Sequence, residues 1–215
     1  MSEENTFAPK GVSRRTLVKG AAWSLPVIAV AAATPLAAAS TTNSSLAWTG
    51  SNTGLLTLRV LDSASLITAG VLITVPDEYT IDNGPGAISD TATVTITVSR
   101  PGGINLTLGS ARGFGVYSVD GIPTTTGERT VSYNTLPLVG NVGFPITTWT
   151  GTRTVTIASD GTLAVPVEFG LAGNNTGVSV SALATFPVNL TVTFTDGSTY
   201  SASTSISVPV GAGIL

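Results

Sequence analysis

Apolar residues and threonines alternate along much of this chain beyond position 40. The alternation is unbroken at residues 91–99 and again at residues 188–195. A residue that faces the core at every second position is typical of a β-strand with one buried face. Threonine and valine also suit the pleated surface through their branched Cβ atoms. No segment carries the period of an amphipathic helix, so the sequence predicts an all-β protein.

Turn residues separate the predicted strands. Asp160-Gly161 and Asp196-Gly197 each stand between two alternating segments, as tight hairpins prefer, because glycine adopts positive φ at little cost. About ten or eleven short strands joined in this way favour an antiparallel two-sheet sandwich, immunoglobulin-like or jelly-roll, with a closed barrel as the alternative. Further strands are predicted at 55–61, 66–75, 104–108, 115–119, 129–133, 153–158, 163–169, 178–184 and 200–208.

The proline at position 166 indicates where its strand lies in the sheet. Pro166 falls on the outward phase of its strand, between inward-facing Val165 and Val167. Because proline cannot donate a hydrogen bond to a neighbouring strand, this segment is predicted to lie at a sheet edge.

The first 39 residues have the three parts of a signal peptide. A polar start with four basic residues precedes the uncharged, alanine-rich segment 20–39, which ends in small residues; cleavage is therefore predicted between Ala39 and Ser40. The basic part contains Ser13-Arg14-Arg15-Thr16-Leu17-Val18-Lys19. This run resembles the twin-arginine (Tat) motif, with leucine where phenylalanine is commonest. Residues 14–40 also resemble Tat leaders of high-GC Gram-positive bacteria.

The resemblance implies that the export receptor binds Arg14 and Arg15, and that the Tat translocase and signal peptidase are partners during export. Residues 1–39 are then a leader and residues 40–215 one β-domain, secreted or associated with the cell wall. A retained membrane anchor is the alternative, since the uncharged segment of about twenty residues is near the length that spans a bilayer. It is mostly alanine and is broken by Pro26 and Pro35, which favours removal, and no membrane contact is expected after cleavage.

The composition of residues 40–215 narrows the chemistry. Cysteine and histidine are absent from the whole chain, and lysine is absent beyond position 40. The usual nucleophile–histidine systems, zinc or copper sites and Schiff-base chemistry therefore lack their side chains. Ten acidic and five dispersed basic residues give this part a net charge of −5, which disfavours nucleic acid as a partner. No cofactor is predicted, with calcium as the exception considered next.

Carboxylates concentrate in residues 77–90, which are predicted to form a loop. Calcium prefers oxygen ligands, and loops of secreted β-domains can supply them. The spacing matches no calcium motif, so a solvated acidic loop is the simpler interpretation. The candidate metal ligands are Asp77, Glu78, Asp82 and Asp90.

Tyr79 lies within the same segment and is the candidate for stacking on a sugar ring, although core packing is the commoner role of aromatic residues. A glycoside hydrolase needs only two suitably spaced carboxylates, and Glu128 and Glu168 are the glutamates available beyond that segment. Nothing in the sequence places those two together.

These observations favour a non-catalytic structural or interaction domain, with cell-wall glycan or another surface protein as its partner. A calcium- or carbohydrate-binding module is the second interpretation, and a carboxylate-only hydrolase is the third.

Overall fold

A computed structural model describes residues 44–70, 72–176 and 178–208. The predicted leader, with Arg14, Arg15 and Ala39, lies outside the described residues, and so does Ser40, the predicted first residue after cleavage. In the described part the chain forms strands, turns and one 3-10 turn, and it contains no α-helix, hence no helix that could cross a membrane. The strands are β1 Ser45–Gly54, β2 Thr57–Arg59, β3 Leu66–Thr68, β4 Ile73–Asp82, β5 Ile88–Val98, β6 Gly102–Leu108, β7 Gly113–Val119, β8 Ile122–Pro123, β9 Arg129–Leu136, β10 Gly140–Ile157, β11 Thr162–Ala172, β12 Val178–Phe194 and β13 Thr199–Val208.

Eleven of these strands form one curled sheet in which every pairing is antiparallel. Its order is β8-β7-β11-β4-β13-β12-β5-β10-β9, with β1 added to β4 and β6 added to β12, while β2 and β3 form a separate hairpin. The prediction of an antiparallel all-β protein is therefore confirmed. The long strands β10 and β12 each pair with different neighbours along their two halves. Each of them therefore continues from one part of the curled sheet into the next.

The alternation in the sequence sets which face of each strand is buried. In β5, Val94, Ile96 and Val98 are buried, while the threonines between them stand on the outer face. The inward side chains converge on an aromatic cluster in which Phe186 meets Phe114 and Phe144 edge to face, at ring-centroid distances of 4.9 and 5.4 Å. Buried apolar surface contributes roughly 25 cal/mol per Å², so this core is the main source of stability.

Of the two predicted hairpins, the one at Asp196-Gly197 forms, because β12 pairs with β13. At Asp160-Gly161 the chain turns from β10 into β11, but the prediction of a hairpin is wrong: β10 pairs with β5 and β9, and β11 pairs with β4 and β7. The turns also differ in geometry. Asp120-Gly121 joins β7 to β8 with positive φ at both residues (54° and 70°), as a type I′ turn requires. At Asp196-Gly197 the positive φ lies on the glycine, at 87°. At Asp160-Gly161 it lies instead on Asp160, at 54°, a conformation that a short polar side chain tolerates.

Residues 77–90 are not the single loop that the sequence predicts. Asp77 and Asp82 belong to β4, Asp90 belongs to β5, and only residues 83–87 connect these two strands. β4 is inside the sheet, with β1 on one side and β11 and β13 on the other. It is buried on both faces over much of its length, so its sequence lacks the alternation that marks a half-exposed strand.

Two other strand predictions need correction. Residues 66–75 form not one strand but β3 and the beginning of β4. Strand β11 is not at an edge, because it pairs with β4 along its first half and with β7 along its second. Pro166 lies where one partner gives way to the other, and its carbonyl accepts a hydrogen bond from the Asp120 amide. Its predicted outward phase is confirmed.

Candidate functional site

The four candidate metal ligands occupy separate positions on the sheet. Glu78 accepts a hydrogen bond from the Thr49 hydroxyl at 3.0 Å, and Asp82 accepts one from Thr162 at 2.7 Å. Asp90 binds the amide and the hydroxyl of Thr195. Across residues 44–70, 72–176 and 178–208, no three carboxylates come together as a metal cage would need. Calcium binding therefore stays a prediction without a structural site.

Tyr79 does not present its ring to solvent. The side chain is 1% exposed and packs edge to face against Trp48, with ring centroids 5.9 Å apart. Burial raises the pKa of its hydroxyl far above the ordinary value. Stacking on a sugar requires an accessible ring face, so Tyr79 cannot serve as that platform in this conformation.

Glu128 and Glu168 bind different hydroxyl groups. Glu128 closes the 3-10 turn before β9, where its carboxylate accepts hydrogen bonds from the amide and hydroxyl of Thr125. The hydrogen bond from the Thr125 backbone amide is the main reason that the pKa of Glu128 is lowered. Glu168 accepts a hydrogen bond from Ser118 at 2.8 Å. No contact among the described residues joins the two glutamates, and each has a local structural role.

Strand β9 has the largest exposed fraction among the long strands whose side-chain burial the structure describes in full. It is last in the strand order and pairs with β10; within the described chain no strand lies along its other side. Six of its eight residues are exposed. Its outer backbone amides and carbonyls therefore face solvent, which is the arrangement through which sheets extend by pairing with another strand.

The hairpin that β9 forms with β10 has an apolar tip. Leu136, Leu138 and Val139 are among the most exposed apolar residues of the described chain, and Leu138 is fully exposed. Leu138 also has a φ of 69° in a turn closed by the Val139 amide and the Leu136 carbonyl. This left-handed conformation favours glycine and costs an ordinary residue about 1–2 kcal/mol.

The base and middle of β9 are fixed to the rest of the sheet. Arg129 forms an ion pair with Asp62, and the Tyr133 hydroxyl donates to the Ala111 carbonyl at 2.9 Å. Arg100 lies between β9 and β10 and donates to the Phe144 and Ser132 carbonyls. The exposed edge is thus a rigid surface, which lowers the entropy cost of binding a partner.

No charged residue occurs between positions 130 and 152, which include nearly all of β9, the tip and most of β10. Sequence reasoning predicted a strand at 129–133 but did not identify this edge, although the long uncharged interval was a usable signal. No family model matches the chain, and no curated protein matches it in sequence.

Proposed function

We propose that this chain is a non-catalytic interaction domain that pairs with a second copy of itself along β9. The observation that carries the proposal is Leu138, a fully exposed leucine held in a backbone conformation that glycine adopts more easily. Strain at an exposed apolar residue brings the isolated molecule no benefit, and strained residues cluster at functional positions. Burial of the Leu138 side chain against a partner would stabilise the pair and so offset the backbone strain at this residue.

Charge favours a second copy as the occupant. Residues 40–215 have a net charge of −5, so two copies repel each other in general. The interval 130–152 carries no charge, and it therefore allows contact without direct repulsion or the desolvation of an ion. Natural edge strands usually carry lysine, proline or inward charges that prevent pairing, and β9 has none of these between Thr130 and Leu136.

Antiparallel pairing of β9 with β9 is compatible with the sequence of the edge. A two-fold axis near Ser132 would place identical strands side by side and satisfy their outer backbone groups. Val131, which is 43% exposed, would lie within this contact, and each apolar tip would lie beside the 3-10 turn Thr126–Glu128 at the base of the partner's β9.

We also propose that the curled sheet folds over on itself into a two-layer sandwich. The two facing layers would then support the exposed edge of β9 and keep it rigid. The contacts between β10 and β7 support this proposal: the Thr147 hydroxyl donates to the Phe114 carbonyl at 2.6 Å, and Phe114 packs on Phe186 of β12. We further propose export by the Tat route and a location in the medium or the cell wall, on the strength of the motif at Arg14-Arg15.

The experiment is to measure molar mass by light scattering over a concentration series, for the wild type and two variants. We expect a concentration-dependent monomer–dimer equilibrium for the wild type. Val131→Lys should shift it towards monomer, because each copy would bring a charge to the shared edge. Leu66→Lys is the matched control, since Leu66 is similarly exposed, at 58%, but lies on β3. A wild type that stays monomeric, or equal effects of the two lysines, would refute the proposal.

Leu138→Gly separates pairing from folding. Glycine relieves the positive φ at position 138, so the free energy of unfolding of the monomer should not fall. Association should still weaken, because the apolar side chain is lost. A variant that dimerises as well as the wild type would show that Leu138 takes no part in the contact.

A further inference from the structure

An open groove lies between β2, β4, β7 and β11, away from the β9 edge. Its volume is about 230 Å³. This is smaller than the roughly 300–1,000 Å³ of pockets for drug-sized ligands, so it suits a single small molecule. The floor is apolar and consists of Leu58, Val75, Val167 and Phe169, all of them buried.

Arg59 supplies the positive charge of the groove. Its guanidinium carbon lies 5.1 Å from the centroid of the Tyr117 ring, which is a cation–π contact. Stacking restrains the plane of the guanidinium and leaves the N–H groups at its edge available. Among the described residues, none accepts a hydrogen bond from this side chain. A stacked arginine with available N–H groups is well prepared to bind a carboxylate through two parallel hydrogen bonds.

Two carboxylates line the same groove. Glu168 is oriented by the hydrogen bond from Ser118, which uses one of its two oxygens. Asp77 lies against Gly50, at an irregularity in the pairing of β1 with β4. A Cβ atom at position 50 would overlap the Asp77 carboxylate. The glycine at position 50 therefore leaves the space that the Asp77 carboxylate occupies.

These groove charges are of opposite sign and are not paired with one another. In the part of the chain that the structure describes, the ion pair that forms is Arg129–Asp62, which does not line the groove. One available cation and two available anions surround an apolar floor. A ligand that satisfies all of them carries a carboxylate and an ammonium group next to an apolar side chain.

We propose that this groove binds a free α-amino acid with an apolar side chain. The carboxylate of the ligand pairs with Arg59, and its ammonium group lies between Asp77 and Glu168. Its side chain contacts the floor formed by Leu58, Val75, Val167 and Phe169. The two ends of the ligand are thus recognised by separate residues, which allows each end to be tested by itself.

The test uses titration of the purified protein with leucine, monitored by NMR chemical shifts or calorimetry. We expect saturable binding that weakens about tenfold or more when either charge of the ligand is removed, because each charge-assisted contact is then lost. Leucinamide lacks the carboxylate, and N-acetylleucine lacks the ammonium group. Glycine, which lacks a side chain, should also bind more weakly than leucine.

Protein variants assign each end of the ligand to its residue. Arg59→Gln should weaken leucine binding and abolish the preference for leucine over leucinamide. Asp77→Asn should abolish the preference for leucine over N-acetylleucine. The matched controls are Arg153→Gln, since Arg153 stacks on Trp149 at the same 5.1 Å but lines a different cavity, and Asp160→Asn in a turn.

Three results would overturn the proposal. The first is no saturable binding of leucine up to its solubility limit. The second is equal binding of leucine, leucinamide and N-acetylleucine. The third is unchanged ligand preference in Arg59→Gln and Asp77→Asn while circular dichroism shows both variants to be folded. Because the groove lies apart from β9, these results are independent of whether the chain dimerises.

Discussion

Hydroxyl groups of neighbouring strands bind one another across the outer face of β13, β12, β5 and β10. The hydroxyl oxygens of Thr95 and Thr150 are 3.2 Å apart, and those of Thr193 and Thr199 are also 3.2 Å apart. Register places Thr199, Thr193, Thr93 and Thr152 in one row across the four strands. Cross-strand threonine pairs each contribute roughly 0.2–1 kcal/mol, so this face adds stability without charge.

Asp90 makes the stability of the protein depend on pH. Hydrogen bonds from the Thr195 side chain are the largest cause of a lowered Asp90 pKa, followed by one from the Thr91 amide. In the unfolded chain the pKa returns to its ordinary value. The stabilisation is therefore fully present above that ordinary value and is lost as the pH falls through the lower pKa of the folded state.

We expect Asp90→Asn to lower the free energy of unfolding at neutral pH and to reduce the further loss on acidification. Urea denaturation at neutral and strongly acidic pH measures both effects. Some acid sensitivity should remain, because the pKa of Glu128 is lowered as well. Asp160→Asn is the control, since asparagine tolerates the positive φ of that turn. An acid-induced loss in Asp90→Asn as large as in the wild type would contradict the assignment.

At the scale of the elements, a buried asparagine joins two connections that are distant in sequence. Asn83 follows β4, is 7% exposed, and donates from its side chain to the Gly86 and Ala158 carbonyls. Its backbone amide donates to the Gly161 carbonyl at 2.9 Å. Asn83 thus joins the β4–β5 connection to the β10–β11 turn, alongside two further bonds: the Asp160 amide donates to the Gly84 carbonyl, and the Gly86 amide donates to the Ser159 hydroxyl.

Replacing Asn83 by leucine should lower the free energy of unfolding by about 2–3 kcal/mol, because the buried carbonyls would lose their donor. The measurement is the urea midpoint, with Asn175→Leu as the control at an exposed position. Asn83→Ala tests the same hydrogen bonds without added bulk. If neither Asn83 variant moved the midpoint more than the control does, water would be replacing the amide, and the proposed link would not contribute.

The sequence indicates some elements far better than others. β5 is recognised because it has one buried face, so apolar residues and threonines alternate along it. β4 is not recognised, because both its faces are buried and because Asp77, Glu78 and Asp82 resemble a solvated loop. The groove could not be predicted from the sequence either. Asp77 and Glu168 line one cavity because β4 and β11 pair, and no local sequence pattern predicts that pairing.

At the scale of the whole molecule, strands far apart in sequence form the sheet. β4 pairs with β11, and β5 pairs with β12. Sheets built from such non-local pairings fold slowly, in milliseconds to seconds, because distant segments must meet before contacts stabilise them. A route that carries folded proteins suits a chain of this kind, which supports the proposed export by the Tat route.

Changing both Arg14 and Arg15 to lysine should stop export while leaving the net charge of the leader unchanged. The measurement compares the chain in the medium and in cell extracts: we expect it to disappear from the medium and to accumulate in cells at the mass of the uncleaved form. Lys19→Arg is the control, because it alters a neighbouring basic residue and keeps the arginine pair. Continued export of the double variant would show that another route is used.

Pairing along β9 has a consequence for stoichiometry. Since both copies use the same edge, a completed pair has no second β9 to offer. The opposite end of the strand order is β8, which has only two residues, one of them proline, and so gives an incoming strand little to bind. Pairing through β9 should therefore stop at two molecules, and growth into a fibre would need a different edge, such as that of β1, which pairs only with β4 among the described strands.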